Sequence, residues 1–326
     1  MLVAPELLFT WRGGEARLTR TLAVRPGDDA QRSLARRDRR EAELLAKAPA
    51  AAARACRRAP RPAPDPRYRA AAADAIAEIR RGELEKVVLA LALPRALPAG
   101  FRCGPALAAL IRSQPTSRTF AVGLGDASFL GATPERLVRC HAGRVESHAV
   151  AGTAAGGSRR ERHGAALRRS AKERAEHAVV VRAIADALGP LCGGLEMPAQ
   201  PELAQAGGVQ HLRTRIGGRL REATHALELV ARLHPTPALG GAPRDAALRW
   251  IERREGFDRG WYGGPIGWLD ASGGGDFFVA LRCGLVQAGR ALAYAGSGLV
   301  AGSDPDAEAR ETARKLRTLW EALDAG

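Results

Sequence analysis

Lysine is nearly absent from this chain. Of its 50 basic residues only four are lysines, Lys47, Lys86, Lys172 and Lys315. Arginine stays protonated in proteins, whereas lysine can lose its proton or act as a compact point charge. A lysine that persists in such a background points to a task arginine cannot do, and Lys86 and Lys315 are worth following on that ground. Aromatic residues are also scarce, at 5%. The arginines are scattered rather than gathered with aromatics, which argues against a nucleic-acid partner despite a net charge of +15. An anionic small substrate suits that charge equally well. The five cysteines (Cys56, Cys103, Cys140, Cys192 and Cys283) are odd in number and contain no C-x-x-C, against a disulfide framework or a zinc cluster. No stretch approaches the roughly 18 uninterrupted apolar residues of a membrane span. The opening MLVAPELLFTWRGGEARL lacks a basic region followed by an apolar one, so no export signal is read and the expectation is a cytoplasmic protein without a membrane partner. The chain also lacks a G-x-x-x-x-G-K-[ST] loop, an H-x-x-x-H pair and a G-x-S-x-G elbow, and with them the corresponding nucleotide, zinc-hydrolase and serine-hydrolase readings.

What is present is a soluble-globular composition over 326 residues, 46% hydrophobic and 26% charged, ample for a buried core. Residues 1–66 read as a short N-terminal segment: an apolar stretch, an exposed charged helix in DDAQRSLARRDRREAELLAK, and an Ala/Pro/Arg-rich lead-in over 48–66. Residues 67–326 read as one regular domain. YRAAAADAIAEIRRG predicts an amphipathic helix closed by Gly82, and KVVLALALP a strand stopped by Pro94. TFAVGLG, SFLGA and RLVRCHAGRVESHAV predict strands, the last turning at Ala142-Gly143. A single long helix is expected from about Gly164 to Leu188. GPIGWLD and DFFVALRCGLV predict two strands joined by the glycine turn, and ALAYAGSG another. The final helix starts at Asp304, a natural N-cap, with Pro305 at the first helical position. Hairpin-linked strands with flanking helices point to an α+β fold.

Several residues stand out chemically. Glu308, Glu311 and Lys315 share one face of the last helix, and Glu173 and Glu176 pair on the middle helix. Two helices each offering two carboxylates suit a hard divalent cation such as Mg²⁺, which keeps some of its waters; ordinary surface ion pairs would explain the same spacing. Lys86 shares a strand face with Val88 and Ala90, where desolvation would lower its pKa towards that of a general base; a lysine at the strand mouth reaching solvent is the bland alternative. Arg282, set among apolar neighbours, calls for an anionic partner, either internal or a substrate. Glu135 in GATPERL is a lone carboxylate that says little by itself. AYAGSGLVAGSDP runs through glycines into a helix start, but no βαβ unit surrounds it, against a dinucleotide site.

Nine collinear blocks go further: GELEKVVLA, FLGATPERLV, HAVAGTAAGG, SAKERAEHAVVV, VQHLRTRI, LHPTPALGGAPRDAALRWI, EGFDRGWYGGPIGWLD, FFVALRCG and AYAGSGLVAGSDPDAEARETARKL. Together they resemble the chorismate-binding enzymes, and among them most of all the isochorismate synthases, over about residues 70–323. The resemblance implies an α+β fold with a large antiparallel sheet core, outer helices and a buried site that takes chorismate. It implies Lys86 as general base and Glu135 as general acid. Glu176 and Glu311 would be Mg²⁺ ligands, with Glu173 and Glu308 as outer carboxylates holding metal-bound water. Arg282, Gly296 and Lys315 would contact substrate carboxylates, and Gly152 and Thr153 would flank the ring. The implied reaction adds water at C2 and loses the C4 hydroxyl. Ala151 stands where aminodeoxychorismate synthases carry lysine, and Lys86 is usually missing from enzymes that use ammonia, so no glutaminase subunit is expected. Tyr262 is shared with salicylate synthases, but Ala238 replaces their usual threonine, favouring a product that stops at isochorismate. Leu91, Asp276 and Ser297 depart from the family's usual arginine, glutamate and alanine. The alternatives are a salicylate or amino-transferring relative and, from another class, a basic non-catalytic nucleic-acid-binding protein.

Overall fold

The computed structural model describes residues 3–4, 7–12, 15–21, 26–46, 59–155, 160–206 and 209–326. Contacts divide the chain into two compact units, Met1–Ala52 and Ala53–Gly326. In the first, β1 (Leu7–Arg12) pairs antiparallel with β2 (Glu15–Arg20), and α1 (Ala30–Ala46) falls inside the charged stretch read as a helix. Arg20 reaches Glu41 at 2.8 Å. Lys47, Cys56 and the lead-in as far as residue 58 lie outside the described residues.

The second unit begins with residues laid against the C-terminal end of the chain: the Trp320 indole donates to the Pro60 carbonyl at 2.9 Å. Then α2 (Pro66–Arg80) starts where Asp65 accepts from the Arg67 and Tyr68 amides, with Pro66 at the first position. Its buried residues, Tyr68, Ala72, Ala75, Ile76 and Ile79, follow the three-and-four spacing of one helical face. Next come β3 (Lys86–Ala96), α3 (Cys103–Ser113), β4 (Arg118–Leu124), β5 (Ala127–Thr133), β6 (Arg136–His141) and β7 (Arg144–Ala155). The helices α4 (Arg160–Arg169) and α5 (Ala171–Leu188) precede β8 (Cys192–Glu196), β9 (Glu202–Ala206) and β10 (Val209–Leu220). The chain continues through α6 (Ala226–Leu233), β11 (Gly241–Ala242), α7 (Arg244–Arg254), β12 (Pro265–Leu269), β13 (Gly275–Val279), β14 (Cys283–Gln287), β15 (Arg290–Leu299) and α8 (Pro305–Ala322).

The strands of the second unit form two antiparallel sheets. One has seven strands in the order β12-β13-β6-β7-β10-β8, with β9 also on β10; the other has six, β11-β3-β15-β14-β5-β4. Val180, Ile184 and Leu188 of α5 join a core with Leu137, Val138 and Ile216 of the first sheet. Leu316, Leu319 and Trp320 of α8 do the same with Leu130, Val286 and Ala293 of the second. The expected α+β class with a large antiparallel core is what the chain adopts. No helix among the described residues is long and apolar enough to cross a membrane.

Three expectations differ from the structure. Pro94 does not stop β3, which continues to Ala96. Opposite β15 the strand is paired from Val87 to Ala96, but β11 covers only Lys86 and Val87, so by Pro94 it is an edge where a missing N–H breaks no second ladder. The helix expected from Gly164 to Leu188 is broken at Ser170, whose hydroxyl accepts from the Glu173 amide and starts α5 afresh. DFFVALRCGLV is not one strand. Ala280, Leu281 and Arg282 form a corner, and β13 and β14 belong to different sheets. The corner is the more consequential, because β5 and β6 do the same across Pro134 and Glu135. The two corners are bonded to each other: Val279 donates to the Glu135 carbonyl at 3.0 Å and Ala132 to that of Arg282 at 3.3 Å.

Close approach beside these corners is possible because Gly131, opposite Cys283, has no side chain. A methyl there would lie 2.5 Å from Cys283 Cβ and 2.8 Å from its Cα. Gly131→Ala is expected to cost roughly 1–3 kcal/mol, read as a lower denaturant midpoint; an unchanged midpoint would show that the corner yields freely.

Candidate active site

The corners deliver two of the site's side chains. Glu135 is buried, and among the described residues its carboxylate makes no hydrogen bond or ion pair. Burial pushes its pKa up to about 8, against the opposing pull of the Lys86 and Lys315 charges. Arg282 sits at φ +50, a left-handed conformation unusual for a residue with a side chain. Burial lowers its pKa to about 10, which still leaves it charged at neutral pH.

His211 on β10 orients that guanidinium. Its Nδ1 is 3.0 Å from the Gly152 carbonyl, which can only accept, so Nδ1 carries the proton. Nε2 therefore offers a lone pair to Arg282 Nη2 at 3.1 Å. Burial, with Arg282 and Lys315 nearby, pushes His211 down to about 3, so the neutral ring persists. Gly152 itself is the extra residue of a β-bulge: Leu212 pairs with Ala151 and His211 with Thr153. Its φ of +74 and the Glu173 carboxylate oxygen, 3.0 Å from where a Cβ would stand, both demand glycine. The bulge lets the Thr153 amide donate to Glu173 at 2.9 Å.

Acidic residues from α5 and α8 meet lysines. Lys86, fully buried, pairs with Glu176 at 3.0 Å. Lys315 pairs with Glu311 at 2.8 Å and donates to the Gly296 carbonyl at 2.9 Å. Lys172 bridges Glu173 at 3.0 Å and Glu308 at 2.8 Å. Four carboxylates thus face three ammonium groups, one negative charge in excess. Burial opposes ionisation of Glu311, yet Lys315 and Lys172 outweigh it and hold the group down at about 2. Glu308 is raised by burial and by the charge of Glu311.

One cavity brings together Lys86, Glu135, Gly152, Thr153, Glu176, Ala238, Tyr262, Arg282, Gly296, Glu311 and Lys315. Glu173 and Glu308 stand behind it, joined through Lys172. His211 and Ser297 also line it, without having been singled out for a role from the sequence. His211 lay in VQHLRTRI and Lys172 among the four lysines; those were the signals available. The donor chemistry fits a hard cation. Glu176 and Glu311 offer carboxylate oxygens, and Mg²⁺ commonly takes one or two carboxylates with the rest from water and substrate. Among the described residues no three His, Cys, Asp or Glu side chains converge enough to hold a metal unaided.

A family model described as chorismate binding enzyme matches residues 1–324. The chain belongs to the chorismate-binding enzymes. It is 48% identical over 261 residues to a salicylate biosynthesis isochorismate synthase of Pseudomonas aeruginosa, covering 79% of this chain and 55% of that protein. It is 39% identical over 252 residues to the isochorismate synthase MenF of Bacillus subtilis, covering 76% of this chain and 54% of that one. The chain therefore spans about half the length of these curated relatives. Among solved structures it resembles MenF, the menaquinone-specific isochorismate synthase of Escherichia coli, with a TM-score of 0.85 and 30% identity over 97% of this chain and 74% of that one. Anthranilate synthase component I of Streptococcus pneumoniae, at 24% identity and a TM-score of 0.75, shares the fold.

The buried Glu135 has a stability signature. Its folded-state pKa, raised from 4.5 to about 8, contributes stability that is fully present below pH 4.5 and lost as pH rises towards 8. Thermal melts across that window should fall more steeply for the wild type than for Glu135→Gln. Parallel curves would show an ordinary, solvated carboxylate.

Proposed function

We propose that this chorismate-binding enzyme is an isochorismate synthase. The observation that carries the reading is that Lys86 and a proton-retaining Glu135 are buried in one cavity with Arg282 and Lys315. Lys86 takes a proton from water as its oxygen bonds to C2 of chorismate. The ring's two double bonds each shift by one position, and the C4 hydroxyl departs as water with the proton of Glu135. One water enters and one leaves. Lys86 acts in this step as the neutral amine, whose lone pair takes the proton while one of its two N–H groups still donates to Glu176. Lys315 has three N–H donors and spends two on Glu311 and Gly296, leaving one for a substrate carboxylate. Arg282, fixed by His211, keeps further donors for the same purpose.

Glu176 and Glu311 would hold Mg²⁺, with Glu173 and Glu308 as outer carboxylates, and the ion when bound supplies positive charge that neutralises the substrate's ring carboxylate. Gly296 and Gly298 leave the room this arrangement needs: a Cβ on Gly298 would overlap Glu176 and Lys86, and one on Gly296 would approach the Tyr262 hydroxyl to 3.0 Å. With a base lysine present, water is the nucleophile and no glutaminase subunit is required. Ala238 and Tyr262 line the same cavity, Ala238 adding no hydroxyl to the site.

Incubation with chorismate and Mg²⁺, followed by mass-resolved chromatography, should yield isochorismate without stoichiometric pyruvate. EDTA should stop turnover and added Mg²⁺ restore it. Salicylate with equimolar pyruvate, or turnover indifferent to chelator, would overturn this reading or its metal. Lys86→Ala should lose roughly 10²–10⁴-fold in kcat while its circular dichroism stays that of the wild type; near-normal turnover would remove Lys86 from the base role.

A further inference from the structure

The strand that carries Lys86 has an incomplete outer edge. On the β15 side β3 is paired from Val87 to Ala96, but on the other side β11 reaches only Lys86 and Val87, and the Val88 amide then donates to the Gly240 carbonyl at 2.8 Å. The next two backbone groups on that edge meet side chains instead of a strand. Arg259 Nη2 donates to the Val88 carbonyl at 2.7 Å, and the Ala90 amide donates to Glu255 Oε1 at 2.7 Å. The two side chains are joined to each other: Arg259 Nε donates to Glu255 Oε2 at 2.7 Å, and Nη2 makes a second contact with Oε1. The carboxylate and guanidinium together stand in for one more residue pair of the ladder.

This ion pair is enclosed, with the Glu255 side chain 1% exposed and that of Arg259 19%. Burying two charges is costly unless their hydrogen-bonding capacity is used, and a longer β11 would satisfy the same backbone groups without any charge. The pair does something an extra strand residue would not. Arg259 Nη1 also donates to the Leu239 carbonyl at 2.8 Å, beside Ala238. Its guanidinium lies 5.9 Å from the centroid of the Tyr262 ring, and the Tyr262 amide donates to the Arg259 carbonyl at 2.9 Å. One ion pair thereby ties three separate walls of the cavity: the strand of Lys86 and Val88, the loop of Ala238, and the turn of Tyr262.

We propose that Glu255 and Arg259 are positioning residues for the reaction, fixing the strand of Lys86 against the Ala238 and Tyr262 walls so that the bound ring stays within reach of the amine. The proposal rests on the isochorismate synthase reading. Neither residue lines the cavity, so their effect must pass through the walls they hold.

Glu255→Gln keeps an acceptor for the Ala90 amide and nearly the same shape, but removes the charge that aligns Arg259. Arg259→Lys keeps the charge, but a single ammonium cannot reproduce the planar fork that reaches Val88, Leu239 and Glu255 together. A displacement of about 1 Å at reacting groups costs on the order of a hundredfold in rate. Steady-state assays on chorismate, with kcat scaled to the folded fraction, should show kcat falling by roughly tenfold or more in both variants while KM changes much less. Arg259→Lys should retain more kcat than Arg259→Gln. Variants that melt at lower temperature but turn over at the wild-type kcat would overturn the proposal and leave the pair as scaffolding. Should Arg259→Lys fail to fold, the near-isosteric Glu255→Gln decides alone. Wild-type enzyme in the same assay separates the two ideas: if it makes no isochorismate the functional reading fails, whereas unaffected variants beside an active wild type sink only the positioning role.

Discussion

Buried opposite charges between α5, α8 and β3 are the constraint on which the rest depends. Glu173, Glu176, Glu308 and Glu311 come from two helices and are each paired with one of Lys86, Lys172 and Lys315. Removing one partner would leave an uncompensated charge inside the protein, which is far more costly than losing an exposed pair. The elements carrying these residues must therefore hold a common geometry. Three of the chain's four lysines lie in this one cluster. An ammonium group fits as a point charge between carboxylates and can be released from them, which a planar guanidinium does less readily.

The sheets supply the second half of the site by changing partners at two corners. β5 passes to β6 through Glu135, and β13 to β14 through Arg282. At a corner the backbone leaves one ladder before entering the next, so a side chain there can turn inward while its neighbours remain paired. The hydrogen bonds that join the two corners fix the acid and the guanidinium relative to each other. The bulge at Gly152 and the neutral ring of His211 then fix the guanidinium from a third strand. Neighbouring groups with opposed proton affinities result: Glu135 is driven up by burial and Glu311 down by its lysine.

Much of this was legible in the sequence. The helix cap at Asp304 and the turn at Ala142-Gly143 follow from local chemistry, because a short acidic side chain or a left-handed pair of residues acts within a few positions of itself. The carboxylate pairs were visible as helix-face spacing, and the lysines as survivors in an arginine-rich chain. Glu135 was not legible in this way. A lone carboxylate after a proline has no periodic signal, and only the resemblance to the family marked it. Lys172 and His211 carry no local signal for a related reason: each acts through partners far away in the chain, Glu308 and Arg282.

By itself, then, the sequence determined the composition of the charged cluster, the identity of most local elements, the α+β class and the family. Those follow from side-chain type and short-range spacing, which the chain states directly. Only the tertiary structure decided that FFVALRCG bends instead of running straight, that Ser170 divides a helix, and that Lys86 meets Glu176 across 90 residues of chain. It also decided that Glu255 and Arg259 complete an edge β11 leaves open. The reason is common to all of these: each backbone group or charge had to find a partner inside the fold, and which partner lay within reach was set by how two sheets and their helices closed on one another.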